Sequence, residues 1–295
     1  MPAGLPAKIP RMYQPILQPI LQPIIHFVHG NGFPALSYRS FLDQLAQHYQ
    51  VEALPMHAHN PAYPVDNGWH GLARELIDEL DRRYRQPVTL VGHSMGGVLS
   101  LMAARQHPEK VQAVILLDAP IVAGWRARVL QAAKAARLDK LGSPARFSER
   151  RRDQWPDREA AFQHYAARAA FANWSEEALR DYIEHGLAED PRGVTLRFGR
   201  DVETAVYRTL PHHIGRMVKR GFPVPVGFIG GADSVESRQA GLDATRRLVG
   251  PHFKLLQGGH LFPMETPTQA AEAVHQMVCA LLANPTPIHG DGRHG

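Results

Sequence analysis

The sequence predicts an α/β fold, a mostly parallel sheet with helices on both faces. Three observations predict it. Short runs of apolar, often β-branched residues recur along the chain, longer stretches with apolar residues at helical spacing separate them, and glycine- or proline-containing turns mark the junctions. Such an alternation requires crossovers between parallel strands. Because those crossovers are right-handed, they place helices against both faces of the sheet.

The first strand is expected over residues 24–28, a compact apolar run ended by Gly30, Gly32 and Pro34. Tyr38, Phe41, Leu42, Leu45 and Tyr49 follow at helical spacing, and residues 51–54 read as a second strand. Leu72, Leu76, Ile77 and Leu80 mark the next helix, which Gln86 and Pro87 close before a strand at 88–91. Residues 98–104 look helical and 111–117 form an apolar strand. The pattern resumes with a strand at 224–229, a helix over about 235–248, a strand at 253–256 and a last helix over about 268–282.

Between residues 121 and 220 the strand signal disappears, and the segment is rich in Ala, Arg, Trp and Tyr with helical periodicity. A helical insertion at 121–220 is therefore expected within a core of residues 24–120 and 221–283. Ahead of that core, residues 14–25 read QPIL, QPIL, QPII, in which Pro15, Pro19 and Pro23 each remove a backbone donor. Residues 1–23 accordingly read as an extended arm, and residues 284–295 as a disordered tail.

At 295 residues and 44% hydrophobic, the chain can bury one substantial core. Its net charge of +5 comes from interspersed signs rather than a basic tract. The densest basic stretch, Arg150 to Arg152, runs at once into Asp153 and Asp157, as a solvated helix face does, so no nucleic-acid partner is expected. Cys279 is the only cysteine, which excludes an intramolecular disulfide. Its neighbours Val274, Met277, Val278 and Leu281 suggest a buried thiol. The N-terminal residues do not read as a signal peptide and no apolar run is long enough to span a bilayer, so a soluble cytoplasmic protein without a membrane partner is expected.

The chemistry concentrates where strands end. The strand at 88–91 runs into Gly92, His93, Ser94, Met95 and Gly96, a G-x-S-x-G sequence between strand and helix. A serine on so sharp a turn projects its hydroxyl above the sheet edge, with the following helix N-terminus aimed at developing negative charge. A serine hydroxyl also needs a base. Of the seventeen histidines, His57, His59, His212 and His213 sit in polar stretches without a metal-ligand pattern, and no metal is expected. His260 follows the strand at 253–256 after Gly258 and Gly259, which puts it at the carboxyl edge where Ser94 lies.

The base in turn needs an acceptor to fix its tautomer. Asp233, in the turn Gly230-Gly231-Ala232-Asp233, is the favoured candidate, and Asp118, at the end of the strand at 111–117, is the alternative acid. An oxyanion hole would take the backbone N–H of Met95 and, from the loop His29 to Pro34, that of Asn31. His29 itself reads as a structural hydrogen-bonding residue. Phe33 reads as pocket wall, and Trp125, Phe162 and Trp174, with Tyr165 and Phe171, are the apolar candidates that the insertion offers as pocket lining or as packing.

Together these motifs resemble the α/β-hydrolase superfamily over residues of about 24–118 and 222–282. HGNGFP is similar to its oxyanion loop, GHSMGG to its nucleophile elbow, GGAD to its acid turn and GGHLFPMETP to its histidine loop, and the order Ser94, Asp233, His260 is the family's order. The resemblance implies an α/β-hydrolase fold in which 121–220 is a helical cap. At the front the sequence departs from the family, since the proline repeat stands where its first strands usually are.

The activity expected is hydrolysis of a small acyl ester by a Ser-His-Asp triad, with no cofactor and a small-molecule ester-like substrate as the partner. Carbon–carbon bond hydrolysis or a lyase reaction on the same scaffold is the alternative enzyme reading, since fold and triad do not select a substrate. A ligand-binding protein that kept the fold without turnover is the reading from a different class. Acyl chain length, leaving group and oligomeric state are not encoded legibly.

Overall fold

The computed structural model describes residues 22–135, 144–219 and 221–283. Strands β1 (Ile24–Val28), β2 (Gln50–Ala53), β3 (Val88–His93) and β4 (Val111–Leu117) precede the insertion. Within it lie β5 (Gln154–Trp155), β6 (Leu187–Asp190) and β7 (Gly193–Leu196). The chain then returns to the core with β8 (Val226–Gly231) and β9 (Phe253–Leu256). The six core strands form one parallel sheet in the order β2-β1-β3-β4-β8-β9.

Strands that read as continuous apolar runs are sorted by the two-residue period of the pleat. Val91, Ile115 and Leu117 join Ile25, Phe27, Met277 and Leu281 on the face covered by helices Arg39–Leu45 and Pro267–Ala283. Leu90, Val114 and Leu116 point the other way, into Leu72, Leu76, Leu99 and Met102 of helices His70–Arg83 and Met95–Gln106. Each fully buried Leu, Ile or Val contributes about 1.5–3 kcal/mol, which makes the two faces the main source of stability.

The chain leaves β1 in one direction to form β2 and returns to the other side for β3, so the strand order reverses between β1 and β3. A crevice opens at the carboxyl ends on such a reversal. The loop after β1 and the turn holding Ser94 both lie there.

Two expectations are corrected. The insertion is not purely helical, because β5, β7 and β6 form a three-stranded antiparallel sheet between helices. The hairpin pairs Asp190 with Gly193 across a two-residue turn, and Gly193 takes φ +121°. The sequence Asp190-Pro191-Arg192-Gly193 is the signal for it, hidden by the short strands on either side. Cys279 is exposed rather than buried. Val274, Met277, Val278 and Leu281 form the buried stripe of its helix, and the residue after Val278 turns about 100° out of it. The expected arm and tail lie outside the described residues, apart from residues 22 and 23. No helix among the described residues is long and apolar enough to cross a membrane.

Three buried histidines make this core acid-sensitive. His26, His29 and His93 are each pushed down to about 3, chiefly by burial and then by neighbouring histidine charge. In the unfolded chain they bind protons near 6.5, so between these values the unfolded state holds more protons and stability rises with pH. The contribution is complete above about pH 6.5 and is lost as pH falls toward 3. His260 works in the opposite sense, one group against three. Urea unfolding should show a loss on the order of 5 kcal/mol between pH 7.5 and pH 5. Equal midpoints and slopes at the two values would refute this account of the buried histidines.

Candidate active site

Ser94 sits between β3 and helix Met95–Gln106 with φ 51° and ψ −114°, a conformation that side-chain-bearing residues rarely hold. The turn is this tight because its flanks are glycines. A Cβ on Gly92 would lie 2.4 Å from the Gly96 carbonyl oxygen, and one on Gly96 would lie 1.9 Å from that of Val28. The Ser94 N–H donates to Leu117 O at 3.0 Å, extending the β3–β4 ladder into the turn.

His260, in the loop after β9, places Nε2 3.1 Å from Ser94 Oγ. Its Nδ1 lies 2.6 Å from Oδ2 of Asp118, the residue that follows β4 and has no exposed surface. The structure therefore corrects the choice of Asp233. That residue is exposed, and its Oδ2 accepts from Gln257 Nε2 at 2.7 Å.

The reason is strand order. β4 lies between β3 and β8, so its carboxyl end is next to Ser94, whereas the turn after β8 is one strand further away. The Gly231 to Ser237 segment instead supplies donors to Asp118. Gly231 N–H (3.0 Å) and Ser237 Oγ (2.9 Å) donate to Oδ1, and Ser234 Oγ donates to Oδ2 at 2.6 Å. Asp118 also has a positive φ, 40°, a conformation that residues with side chains rarely hold.

Burial alone would raise the Asp118 carboxyl, but the hydrogen bond and charge of His260, with the Ser234 and Gly231 donors, hold it below its ordinary value. Burial would lower His260, and the Asp118 hydrogen bond and charge outweigh it, so its pKa is raised. Asp118, Glu236 and His260 also present ligand atoms within 4.8 Å of one another, the residues here that could hold a metal. The Asp118–His260 spacing is that of a hydrogen bond, and both Asp118 oxygens already accept from protein donors.

Two residues that sequence reasoning passed over tie the loops together. Gly30 N–H donates to the Tyr38 hydroxyl at 3.1 Å, which bonds to His93 Nδ1 at 2.8 Å. His93 Nε2 in turn donates to His260 O at 2.9 Å. With Tyr38 donating to Nδ1, the tautomer with hydrogen on Nε2 satisfies every partner. His93 occupies the variable position of G-x-S-x-G, which hid it. His29 donates Nδ1–H to Gly30 O and accepts from His57 N–H, a structural arrangement. The Asn31 and Met95 backbone N–H groups have no backbone acceptor among the described residues, and Met95, as the first helical residue, has no intrahelical one.

The insertion grips this loop. Asn31 Nδ2 donates to Glu203 O at 3.0 Å, and a Cβ on Gly32 would meet the Glu203 carboxylate at 3.1 Å. Arg151 reaches the Glu203 carboxylate at 2.6 Å and donates to the Tyr165 and Tyr182 hydroxyls at 3.0 and 2.7 Å. Phe33 packs on Trp174 and Tyr182, with ring centroids 6.0 and 5.3 Å apart. Trp174 is buried against Phe171, and Phe162 lies under the Arg180 guanidinium. These rings pack the insertion onto the core. Trp125 is 65% exposed beside Arg126 and is a surface residue, which corrects its place among the pocket candidates.

A family model described as the alpha/beta hydrolase family matches residues 27–273. The abhydrolase domain-containing protein AKT2 of Alternaria alternata is 33% identical over 131 residues, 44% of this chain and 45% of that protein. Lipase LipV of Mycobacterium tuberculosis is 38% identical over 80 residues, 26% of this chain and 30% of that one. The chain spans less than half the length of either of these two relatives. Among solved structures, E-2-(acetamidomethylene)succinate hydrolase superposes with a TM-score of 0.68 at 20% identity, covering 87% of this chain and 91% of that one, a likeness of fold.

Replacing Arg151 with methionine leaves the Glu203 carboxylate, whose pKa burial already pushes up, without its cation beside the loop after β1. A loss of about 3 kcal/mol in chemical denaturation is expected. A change within about 0.5 kcal/mol would mean that the contact is incidental.

Proposed function

Since the chain belongs to the α/β-hydrolase family, we propose that it is a serine hydrolase of carboxylesterase type, acting on a small acyl ester. The observation that carries this reading is the unbroken chain from Asp118 through His260 to Ser94, with spacings of 2.6 and 3.1 Å, at the head of a helix.

In this mechanism Ser94 Oγ attacks the ester carbonyl carbon while His260 Nε2 takes its proton. The carbonyl oxygen, now an anion, is held by the Asn31 and Met95 backbone N–H groups. Asp118 keeps hydrogen on Nδ1, so that Nε2 is free to accept, and stabilises the imidazolium that forms. The tetrahedral intermediate collapses as His260 delivers the proton to the departing alcohol. Water then repeats the sequence on the acyl-enzyme, releasing the acid and restoring Ser94. Every proton passes through His260.

The experiment is hydrolysis of aryl esters of increasing acyl length, run beside fluorophosphonate labelling of wild type, Ser94→Ala, Asp118→Asn and Asp233→Asn. Labelling should require Ser94. Asp118→Asn should lower turnover by roughly 10⁴-fold, the size expected when an orienting carboxylate becomes an amide, and Asp233→Asn should stay within about threefold. The reverse ranking on folded proteins would return the acid role to Asp233. Labelling without ester turnover would favour carbon–carbon bond hydrolysis or a lyase reaction, and no labelling at all would favour a binding protein.

A further inference from the structure

A second concave region lies toward the opposite edge of the sheet, with a volume of about 1420 Å³. It is bounded by helices Gly124–Ala135 and Ile214–Val218, the segment entering β8, the end of helix Asp243–Val249 and the turn before β9. Arg105 marks its distance from Ser94. The two residues stand at opposite ends of one helix, so roughly 15 Å of helical rise separates them.

Its chemistry is one-sided. Arg105, Arg128, Arg216, Lys219 and Arg247 line it, and among the described residues no carboxylate does. None of the five is ion-paired to a carboxylate among the described residues; other surface arginines share that, and what sets these apart is that they gather around one concavity. All five are exposed, so solvent screens their mutual repulsion in part, but gathered around one concavity they still give it a positive potential. The same potential is felt locally, since His212, also in the lining, is lowered first by burial and then by the charges of Lys134 and Arg216.

The floor is apolar. Val218, Val224, Val226 and Val249 are buried there and Phe222 is half-buried. A ligand that fits must therefore bring several negative charges on a body that tolerates an apolar surface. The four arginines present planar forks that match phosphate oxygens two at a time, which a single carboxylate would use only once.

We propose that this groove binds an organic di- or triphosphate, at a site separate from the Ser94 chemistry. Phosphoryl oxygens bond to the guanidinium groups of Arg105, Arg216 and Arg247 with Lys219 and Arg128 at the rim, and the organic body lies on the valine floor. The assignment does not depend on the hydrolase reading.

Calorimetric titration of the full-length chain with adenosine diphosphate, adenosine monophosphate and inorganic pyrophosphate tests it. Saturable diphosphate binding is expected, weaker for the monophosphate, which has fewer charges, and for pyrophosphate, which has no body for the floor. Binding should weaken with salt, as contacts made by charge do. The double variant Arg216→Glu, Arg247→Glu should lose at least roughly tenfold in affinity, about 1.4 kcal/mol, with its melting temperature unchanged. If it fails to fold, Arg128→Ala with Lys219→Ala should weaken binding in the same direction. No saturable binding of any probe at about 1 mM, or binding that survives the charge reversal in a folded variant, overturns the proposal. Capture by anionic phospholipid vesicles with no affinity for the soluble diphosphate overturns it too, by making the groove a membrane contact.

Discussion

A carboxylate with no exposed surface is the constraint on which the site depends. Asp118 lies fully inside the protein at the end of β4, where an isolated charge would be expelled or neutralised. It remains a carboxylate because four donors converge on it, from Gly231, Ser234, Ser237 and His260. Meeting that requirement fixes three things at once. The turn after β8 must fold back over β4, the histidine loop must bring Nδ1 to within 2.6 Å, and the chain at residue 118 must adopt a positive φ. The His260 ring is thereby held with Nε2 toward Ser94.

The same economy of contacts joins the remaining loops. Tyr38 and His93 connect the Gly30 amide to the His260 carbonyl, so that the loop after β1, the turn holding Ser94 and the loop holding His260 form one hydrogen-bonded unit. Glu265 closes the histidine loop from the other end by accepting from Gly259 N–H. The insertion is coupled to this unit rather than merely resting on it, since Asn31, Gly32 and Phe33 each meet residues of the insertion. A displacement of the insertion would therefore reach the residue proposed to hold the oxyanion.

Much of the sheet was legible in the sequence because its strands are short apolar runs bounded by glycine and proline, and β1, β4 and β9 begin and end where those runs do. That Ser94 and His260 lie along one edge could be read from the strands that precede them. The choice between Asp118 and Asp233 could not, because both follow strands to the same edge and only the lateral order of those strands ranks them. The hairpin of β6 and β7 was obscured by strands of four residues each, too short for an alternating pattern to stand out. His93 and Tyr38 were missed for a different reason. Their roles arise from loops distant in sequence, and nothing in their neighbours announces a buried polar chain.

The most direct test of the account is the proton between His260 and Asp118. In ¹⁵N-histidine-labelled protein, the proton on His260 Nδ1 should give a resonance well downfield of the backbone amides, retained in Ser94→Ala and absent in His260→Gln. The account predicts that Asp118→Asn moves it strongly upfield, because the charged acceptor is gone, while Asp233→Asn leaves it in place. A resonance indifferent to Asp118 and shifted by Asp233 would contradict the central claim that the buried carboxylate after β4 orients the histidine.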